Sequence, residues 1–458
     1  MAGIGFRLQA LLAKGSYLEA ATAYVSSAVI TAGPWLSGVV ALVVLNISTS
    51  RYLHEADRSL LFATIVSTFA ASLLVVGGLQ LSVTRYLADR LYLKDTASVA
   101  PTCTGVLCLV IPLSIIASPF LVFAPFDIRY RFLVFTLFLT LSTTWMVMLF
   151  LSAAHKYMRI VLILASCYAL GIGASILLGQ LYGLLGSLAG FTLGQMTCLS
   201  LLIVSVYLEF PSVQAINLAY LGYISKYWDL WIIGTLYTAG IWADNIILWT
   251  SSRGQVISGF YHLFLPYDTA KFVVSLSTIP ALTIFMIHVE TNFDRYYQNY
   301  YRLIDARGTL RELSRAREGM REAVRTGLGT IIKVQCFIAL FLCLIAQDLT
   351  AFVGLAPKWV PLLRIEIFAC TAQFFVFVMM VLLLYIDRRR ATLLFTAVFA
   401  ICNIALTLVS LHLGDVRFYG IGYLGASIIG AILGWFLLND RLKRLEYLTF
   451  MAQPLGGS

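Results

Sequence analysis

Twelve apolar segments, each about long enough to cross a bilayer, constrain this chain more than any other feature. A membrane helix needs roughly 20 apolar residues, and the 458-residue chain is 60% hydrophobic and only 12% charged. Because the apolar runs are continuous, they exclude a membrane β-barrel, and an open sheet cannot face lipid. The sequence therefore predicts an all-α polytopic membrane protein with twelve transmembrane helices. The predicted spans are 20–47, 59–84, 99–124, 132–154, 159–181, 184–208, 227–249, 263–290, 327–346, 361–386, 391–413 and 420–438.

The distribution of basic residues predicts the orientation of these spans. If the N-terminus is cytoplasmic, the cytoplasmic connections hold 22 Lys and Arg and the outer connections hold eight, when Arg159 and Arg364 at span ends are counted with the adjacent connections. Lys271 and Lys333 lie deeper within spans. Cytoplasmic loops of membrane proteins carry this excess of positive charge. We therefore expect both termini in the cytoplasm. The net charge of +10 then belongs to these loops, and since no basic domain stands outside the spans, the sequence predicts no nucleic-acid partner.

A short internal repeat suggests two equivalent halves. Residues 31–35 read TAGPW and residues 238–242 read TAGIW, at similar depths in spans one and seven. Six spans in each half give both copies the same membrane orientation, which is typical of transporters with a site between two lobes. The sequence predicts an N-terminal six-helix lobe, a cytoplasmic connection, a C-terminal six-helix lobe and a cytoplasmic tail. Their bounds are 1–208, 209–226, 227–438 and 439–458.

Catalytic and cofactor signatures do not occur in this sequence. There is no P-loop and no nucleophile-elbow sequence, and the soluble segments are too short for a nucleotide-sugar domain. The eight cysteines all lie in apolar runs without a C-x-x-C pair, which is typical of core-filling side chains. We expect no enzyme activity, no cofactor and no metal site.

Ionisable residues inside spans are the first candidates for function, because each costs roughly 2.5–3.5 kcal/mol on insertion scales. These residues are Asp244, Asp268, Lys271 and Glu366, all predicted to lie near the outer ends of their spans. Asp268 and Lys271 are three positions apart on one helical face and could neutralise each other. The remaining acids would suit a cationic substrate, a proton or a sodium ion.

Tryptophans and small residues in the repeat are the second set of candidates. Trp35 and Trp242 occupy matching positions, and indole rings stack on sugar faces and attract amines; ordinary packing is the alternative. Gly33 and Gly240 allow close helix approach, and Pro34 predicts a kink. Three other tryptophans are predicted to anchor the chain at the membrane interface. They are Trp228, Trp231 and Trp249.

Two segments are predicted to lie at the membrane surface. Residues 4–14 place four apolar side chains on one helical face. Segment 291–326 contains eight arginines and five acids, so it predicts either a helix on anionic lipid headgroups or a docking surface for cytoplasmic partners. The arginines proposed for docking are Arg311, Arg315, Arg317 and Arg321.

Several short motifs, in this order and spacing, resemble the PelG family over nearly the whole chain. They are MAGIGFR at residues 1–7, GPW at 33–35, GIWAD at 240–244, YD at 267–268, STIP at 277–280 and ETNF at 290–293. The family is similar to the multidrug/oligosaccharidyl-lipid/polysaccharide flippase superfamily, whose members have twelve helices in two lobes.

The resemblance implies a bacterial inner-membrane component that exports the Pel exopolysaccharide, a polymer rich in N-acetylgalactosamine and galactosamine that supports biofilm formation. It implies three partners, which are the cytoplasmic glycosyltransferase PelF and the membrane proteins PelD and PelE. If the polymer is deacetylated only after export, the intramembrane acids meet neutral sugar and serve ion coupling or structure. Two alternatives remain, a cation-coupled flippase for a lipid-linked oligosaccharide and a non-transporting scaffold for the glycosyltransferase.

Overall fold

The computed structural model of the protein describes residues 17–119, 126–259, 261–415 and 418–451, and most of them are helical. The predicted surface helix at 4–14 lies outside this part. The helices are α1 Tyr17–Thr49, α2 Glu55–Tyr92, α3 Val99–Ala117, α4 Ile128–Ala153, α5 Tyr157–Glu209, α6 Tyr220–Lys226, α7 Trp228–Thr250, α8 Leu265–Ser275, α9 Ile279–His288, α10 Asp294–Asp305, α11 Leu310–Leu344, α12 Ala346–Phe352, α13 Val360–Tyr385, α14 Arg389–His412, α15 Ile421–Lys443 and α16 Leu445–Met451. A 3-10 turn, Leu276–Thr278, joins α8 to α9, and a π-helical turn, Val289–Phe293, joins α9 to α10.

Each predicted span overlaps helical structure, and ten helices of the described part are long and apolar enough to cross a membrane. The difference from twelve has two sources. The 53-residue helix α5 covers two predicted spans, 159–181 and 184–208. Helix α7 has 23 residues, which is sufficient length, but it contains the polar residues Asp229, Asp244 and Asn245 and is not among these ten. The number twelve and the cytoplasmic termini remain predictions.

Helix α5 folds back on itself at Gly183. This residue has φ 63° and ψ −135°, a conformation that glycine adopts without the steric cost of a side chain. The arms 157–182 and 184–209 then pack against each other, because Gly190 meets the backbone of Ser175 and Gly194 meets the backbone of Gly171. The break lies between the two predicted spans, and the arms therefore form an antiparallel helical hairpin.

The helices form two compact units. The first unit is Gly33–Leu265, and the second combines Met1–Ala32 with Pro266–Ser458. This division differs from the predicted lobes 1–208 and 227–438 because α7 packs along α2 and so belongs to the first unit. The assignment of six helices to each lobe remains a prediction.

A short β-hairpin follows α7, in a connection for which the sequence predicted no strand. β1, Gln255–Ser258, pairs antiparallel with β2, Tyr261–Leu263. Tyr261 is fully buried, and its ring centroid lies 5.7 Å from that of Phe126. The hairpin packs on α2 within the first unit, so it covers one end of this helix with an aromatic cluster.

Segment 291–326 consists mainly of two packed helices, α10 and the first part of α11. The chain turns between them at Arg307 and Gly308, where Arg307 has φ 55°. Thr309 caps α11 by accepting a hydrogen bond from the backbone N–H of Glu312, whose carboxylate accepts from the Thr309 N–H, a reciprocal capping box. The ring of Tyr296 packs on Gly319. Helix α11 continues without interruption into the predicted span 327–346.

Candidate functional site

Asp244 is the most buried acidic residue in the described part of the first unit. Only 1% of its surface is exposed, and the adjacent Asn245 is 5% exposed. A carboxylate inside a membrane span must be paired, protonated or facing water, because an isolated charge in hydrocarbon is costly. The protein therefore keeps a carboxylic acid at a position where burial of a charge is costly, which is typical of a functional position.

Trp242 lies two residues before Asp244 and is half-buried. Its ring centroid is 6.2 Å from that of Trp249, with an angle of 53° between the ring planes. Trp249 is only 7% exposed, so the prediction that it anchors the chain at the membrane interface is wrong: it packs inside the protein. Trp228 and Trp231 are 57% and 44% exposed, which fits an interfacial position.

A close crossing of α2 and α7 positions this part of α7. A methyl group on Gly234 would lie 2.3 Å from the carbonyl oxygen of Gly77, and one on Gly78 would lie 2.5 Å from the carbonyl oxygen of Trp231. Thr238, the first residue of the second repeat motif, also packs on Gly77. Sequence analysis missed this crossing, although the Gly77-Gly78 pair inside an apolar helix is a signal for close packing.

The first repeat motif also takes part in packing. Helix α1 passes through Pro34 as one helix, and the Ser37 hydroxyl donates to the Pro34 carbonyl at 2.9 Å. A methyl group on Gly33 would lie 2.8 Å from Cγ2 of Val161, so α5 approaches α1 closely at this glycine. Trp35 is in α1, but its side chain is outside the described part.

In the second unit, Lys271 of α8 lies over aromatic rings. Its ammonium nitrogen is 3.9 Å from the ring centroid of Tyr423 in α15 and 5.8 Å from that of Tyr267. Both tyrosines are buried, at 2% and 0% exposure. A cation over an aromatic face within about 6 Å is attracted by the ring quadrupole, and the attraction grows when the pair is desolvated. Sequence analysis singled out Lys271 but not its aromatic partners.

Glu366 of α13 is fully buried next to the start of α15. Its Oε1 is 2.4 Å from the position that a Cβ on Gly420 would take. Gly420, which directly precedes α15, has φ +89°, a conformation that favours glycine. A larger residue there would also collide with the Glu366 carboxylate. Negative charge near a helix N-terminus is favourable, and Glu366 therefore occupies an electrostatically suitable position.

The structure brings together only some of the predicted ionisable residues. Cys370, one helical turn after Glu366, donates a weak hydrogen bond to the carbonyl of Lys271 over 3.9 Å, so Glu366 and Lys271 lie in adjacent helices of one unit. Asp268 is half-buried in the first turn of α8. Asp244 belongs to the other unit. Within the described ranges, no three His, Cys, Asp or Glu side chains are grouped to hold a metal ion.

The four arginines proposed for docking differ in their surroundings. Arg317 donates to the Lys443 carbonyl at 3.0 Å and to the Glu446 carboxylate at 3.2 Å. It thereby connects α11 to the C-terminal helix α16. Burial raises the pKa of Tyr300, which packs in the same region. Arg321 pairs with Glu318 at 3.1 Å.

Arg311 and Arg315, by contrast, are exposed to solvent. They lie four residues apart on α11 and therefore share one face of the helix. Of the four predicted docking residues, these two are the ones that an incoming partner can reach without breaking an existing ion pair of Arg317 or Arg321.

Comparisons with known proteins agree with this architecture. A family model described as "PelG: Putative exopolysaccharide Exporter (EPS-E)" matches residues 1–450. A search of curated proteins gives no significant match. Among solved structures, a point mutant of the Vibrio cholerae MATE transporter VcmN superposes with a TM-score of 0.67 at 12% identity, over 96% of this chain and 98% of that one. A MOP superfamily transporter from Pyrococcus furiosus superposes with a TM-score of 0.65 at 13% identity, over 92% and 96%.

These similarities establish the fold and the family. At such low identity the solved structures show a shared MATE-like fold, and the family model covers nearly the complete chain. The apolar helices fit the same conclusion. The chain therefore belongs to the PelG family of exopolysaccharide exporters and is a multi-pass inner-membrane transporter, not an enzyme.

Proposed function

We propose that this protein exports the Pel exopolysaccharide, a polymer of N-acetylgalactosamine and galactosamine, across the bacterial inner membrane for biofilm formation. The observation that carries the proposal is the match of the PelG family model to residues 1–450, combined with a transporter fold. Twelve spans with both termini in the cytoplasm fit this function. The hairpin at Gly183 and the 23-residue helix α7 support that number, and the charge asymmetry of the connections supports the orientation.

We further propose which side chains contact the substrate or a coupling ion. In the first unit these are Asp244 and Trp242, together with Trp35 of α1. In the second unit they are Lys271 and Glu366, with Asp268 at the start of α8. The support is the burial of Asp244 and Glu366 in apolar helices, since a membrane protein retains such charged groups where function requires them. Lys271 is supported by its position over two buried tyrosine rings. Trp242 and Asp268 are half-buried, and they are included with Trp35 because of their positions in the sequence.

Polymer uptake by vesicles tests the export function. Purified protein is reconstituted into vesicles, and uptake of Pel polymer is measured with and without a proton gradient. We expect uptake that depends on the protein, and a dependence on the gradient would identify protons as the coupling ion. Vesicles without the protein are the control. Uptake no greater than in these vesicles would contradict the proposal.

Two alternative functions give different results in cells. Accumulation of a polyprenyl-linked oligosaccharide in a strain without the protein would favour a cation-coupled flippase. Loss of polymer synthesis together with export would favour a scaffold for the glycosyltransferase. Export through the protein itself predicts that synthesis can continue while the exported polymer is lost.

The cytoplasmic partners proposed for this protein are PelF, PelD and PelE, and Arg311 and Arg315 are the proposed contacts. Replacing both with glutamine should reduce co-purification of PelF while the amount of inserted protein stays normal. The reason is that these two guanidinium groups are exposed and available to acidic partner side chains. Quantitative pull-down from detergent-solubilised membranes measures the effect.

The control for this experiment is the pair Arg441→Gln and Arg444→Gln, at the cytoplasmic end of α15 and outside segment 291–326. Unchanged co-purification of PelF with the Arg311/Arg315 variant would leave this segment as a helix pair resting on lipid headgroups. Arg317→Gln is unsuitable as a docking variant because it would release α16 from α11.

A further inference from the structure

The ammonium nitrogen of Lys271 lies over aromatic rings that could bind any primary ammonium group. Its nitrogen lies 3.9 Å above the Tyr423 ring, and the Tyr267 ring, 5.8 Å away, forms a second aromatic neighbour. Both rings are buried. Aromatic surroundings of this kind select for ammonium groups over neutral groups of similar size, because only the cation is attracted by the negative ring faces.

An acid lies close to the same aromatic surface. Glu366 Oε1 faces Gly420, and Gly420 precedes Tyr423 by three residues, which is about one helical turn. The carboxylate of Glu366 and Tyr423 therefore both lie at the first turn of α15. A carboxylate beside an aromatic face adds charge complementarity to the quadrupole attraction and strengthens binding of a cation.

The main chain of Lys271 is fixed at this place. Its carbonyl accepts the Cys370 thiol from α13, and the residue lies within the continuous helix α8. The ammonium group thus reaches its surroundings on a flexible four-carbon stem from a rigid base. Aromatic rings from α8 and α15 lie around an ammonium group that the chain itself supplies, and the adjacent helix α13 carries the acid Glu366 at the start of α15.

We propose that α8, α13 and α15 form a binding site for a primary ammonium group, which Lys271 fills from within the chain, an inference that rests on the proposed export function. A free cation, or an amine on the polymer, can enter this site only by displacing Lys271. The side chain therefore acts as a tethered ligand, and its removal should create a site for a small alkylammonium ion.

Chemical rescue tests this site. Lys271→Ala removes the amine and leaves space, whereas Lys271→Met removes the amine and fills the space. We expect both variants to lower polymer uptake by about tenfold, as loss of about 1.4 kcal/mol would do. Propylammonium, which replaces the atoms missing in the alanine variant, should restore uptake to Lys271→Ala but not to Lys271→Met. Equal concentrations of sodium chloride control for ionic strength.

A second measurement does not depend on transport. The midpoint of thermal unfolding in detergent should rise for Lys271→Ala when propylammonium is added, since a ligand that binds the native state stabilises it. The additional change Tyr423→Leu should remove this rise, and Tyr423→Phe should retain it. Lys333→Ala, which alters an exposed lysine of α11, should show neither the loss of uptake nor the propylammonium effect.

Several outcomes would overturn the inference. One is no effect of propylammonium on uptake or on the unfolding midpoint of Lys271→Ala. Another is normal uptake by the double variant Asp268→Leu with Lys271→Met, which would mean that Lys271 only balances Asp268. If wild-type protein fails to take up polymer, the export function is contradicted, and the unfolding midpoint still decides whether the ammonium site exists.

Discussion

Asp244→Asn should reduce exported polymer by about tenfold or more while the amount of inserted protein stays near that of the wild type. Asparagine keeps the size of the side chain and much of its hydrogen bonding but removes the charge. Interactions of a buried charged group are worth about 1.5–3 kcal/mol, and 1.4 kcal/mol corresponds to about a factor of ten. The measurement is exported polymer per unit of inserted protein, from immunoblots of the membrane fraction.

The matched control is Asp229→Asn, which makes the same chemical change in the first turn of the same helix. Asp229 is half-buried at the helix end, so we expect export close to normal. Asp268→Asn should also have a smaller effect than Asp244→Asn, because Asp268 is partly exposed in the first turn of α8, where a negative charge contributes about 0.3–1 kcal/mol. Normal export from the Asp244→Asn variant would remove this residue from the proposed site.

The all-helical membrane fold and the approximate positions of most spans could be predicted from the sequence, because the bilayer imposes length and composition on each helix. Even the break in α5 was predictable, since one predicted span ends at residue 181 and the next begins at residue 184. Gly183 lies between them. The β-hairpin at 255–263 was not, because its strands have only four and three residues. A pattern of alternation cannot be recognised over so few positions.

The candidate site was predictable only in its charged residues. A charge inside an apolar run is visible in the sequence, and this identified Lys271 and Glu366. Tyr423 and Gly420 were not identified, because aromatic residues and glycines are common in membrane helices. Their role depends on which helices pack together, and α8, α13 and α15 are brought together by tertiary packing that is not encoded in any short motif.

The same limit explains the arginines of segment 291–326. By composition, Arg311 and Arg317 are equivalent, since both lie in the polar, arginine-rich first part of one helix. The difference arises from α16, whose Glu446 lies beside Arg317 but is more than one hundred residues away in the chain. Distinguishing a structural arginine from an exposed one therefore requires the fold.

Gly190→Val should prevent correct closure of the α5 hairpin. A Cβ at residue 190 would lie 2.2 Å from the backbone nitrogen of Ser175, and a backbone atom inside a helix cannot move aside as a flexible side chain can. Overpacking of this kind costs about 1–3 kcal/mol, occasionally more. Because the two arms are held together by close contact rather than by a hydrophobic driving force in lipid, we expect a lower unfolding midpoint and less inserted protein.

Gly173→Val on the opposing arm is the matched control for this prediction. It introduces the same side chain into the same helix, but a Cβ at residue 173 would have no neighbouring atom within 4 Å. Replacing a helical glycine with valine also recovers part of the helix propensity that glycine lacks, which is about 0.8–1.0 kcal/mol relative to alanine. The Gly173 variant should therefore insert normally and unfold at or above the wild-type temperature. If both valine variants unfold at the same temperature as the wild type, then the contact between residues 175 and 190 does not hold the arms together.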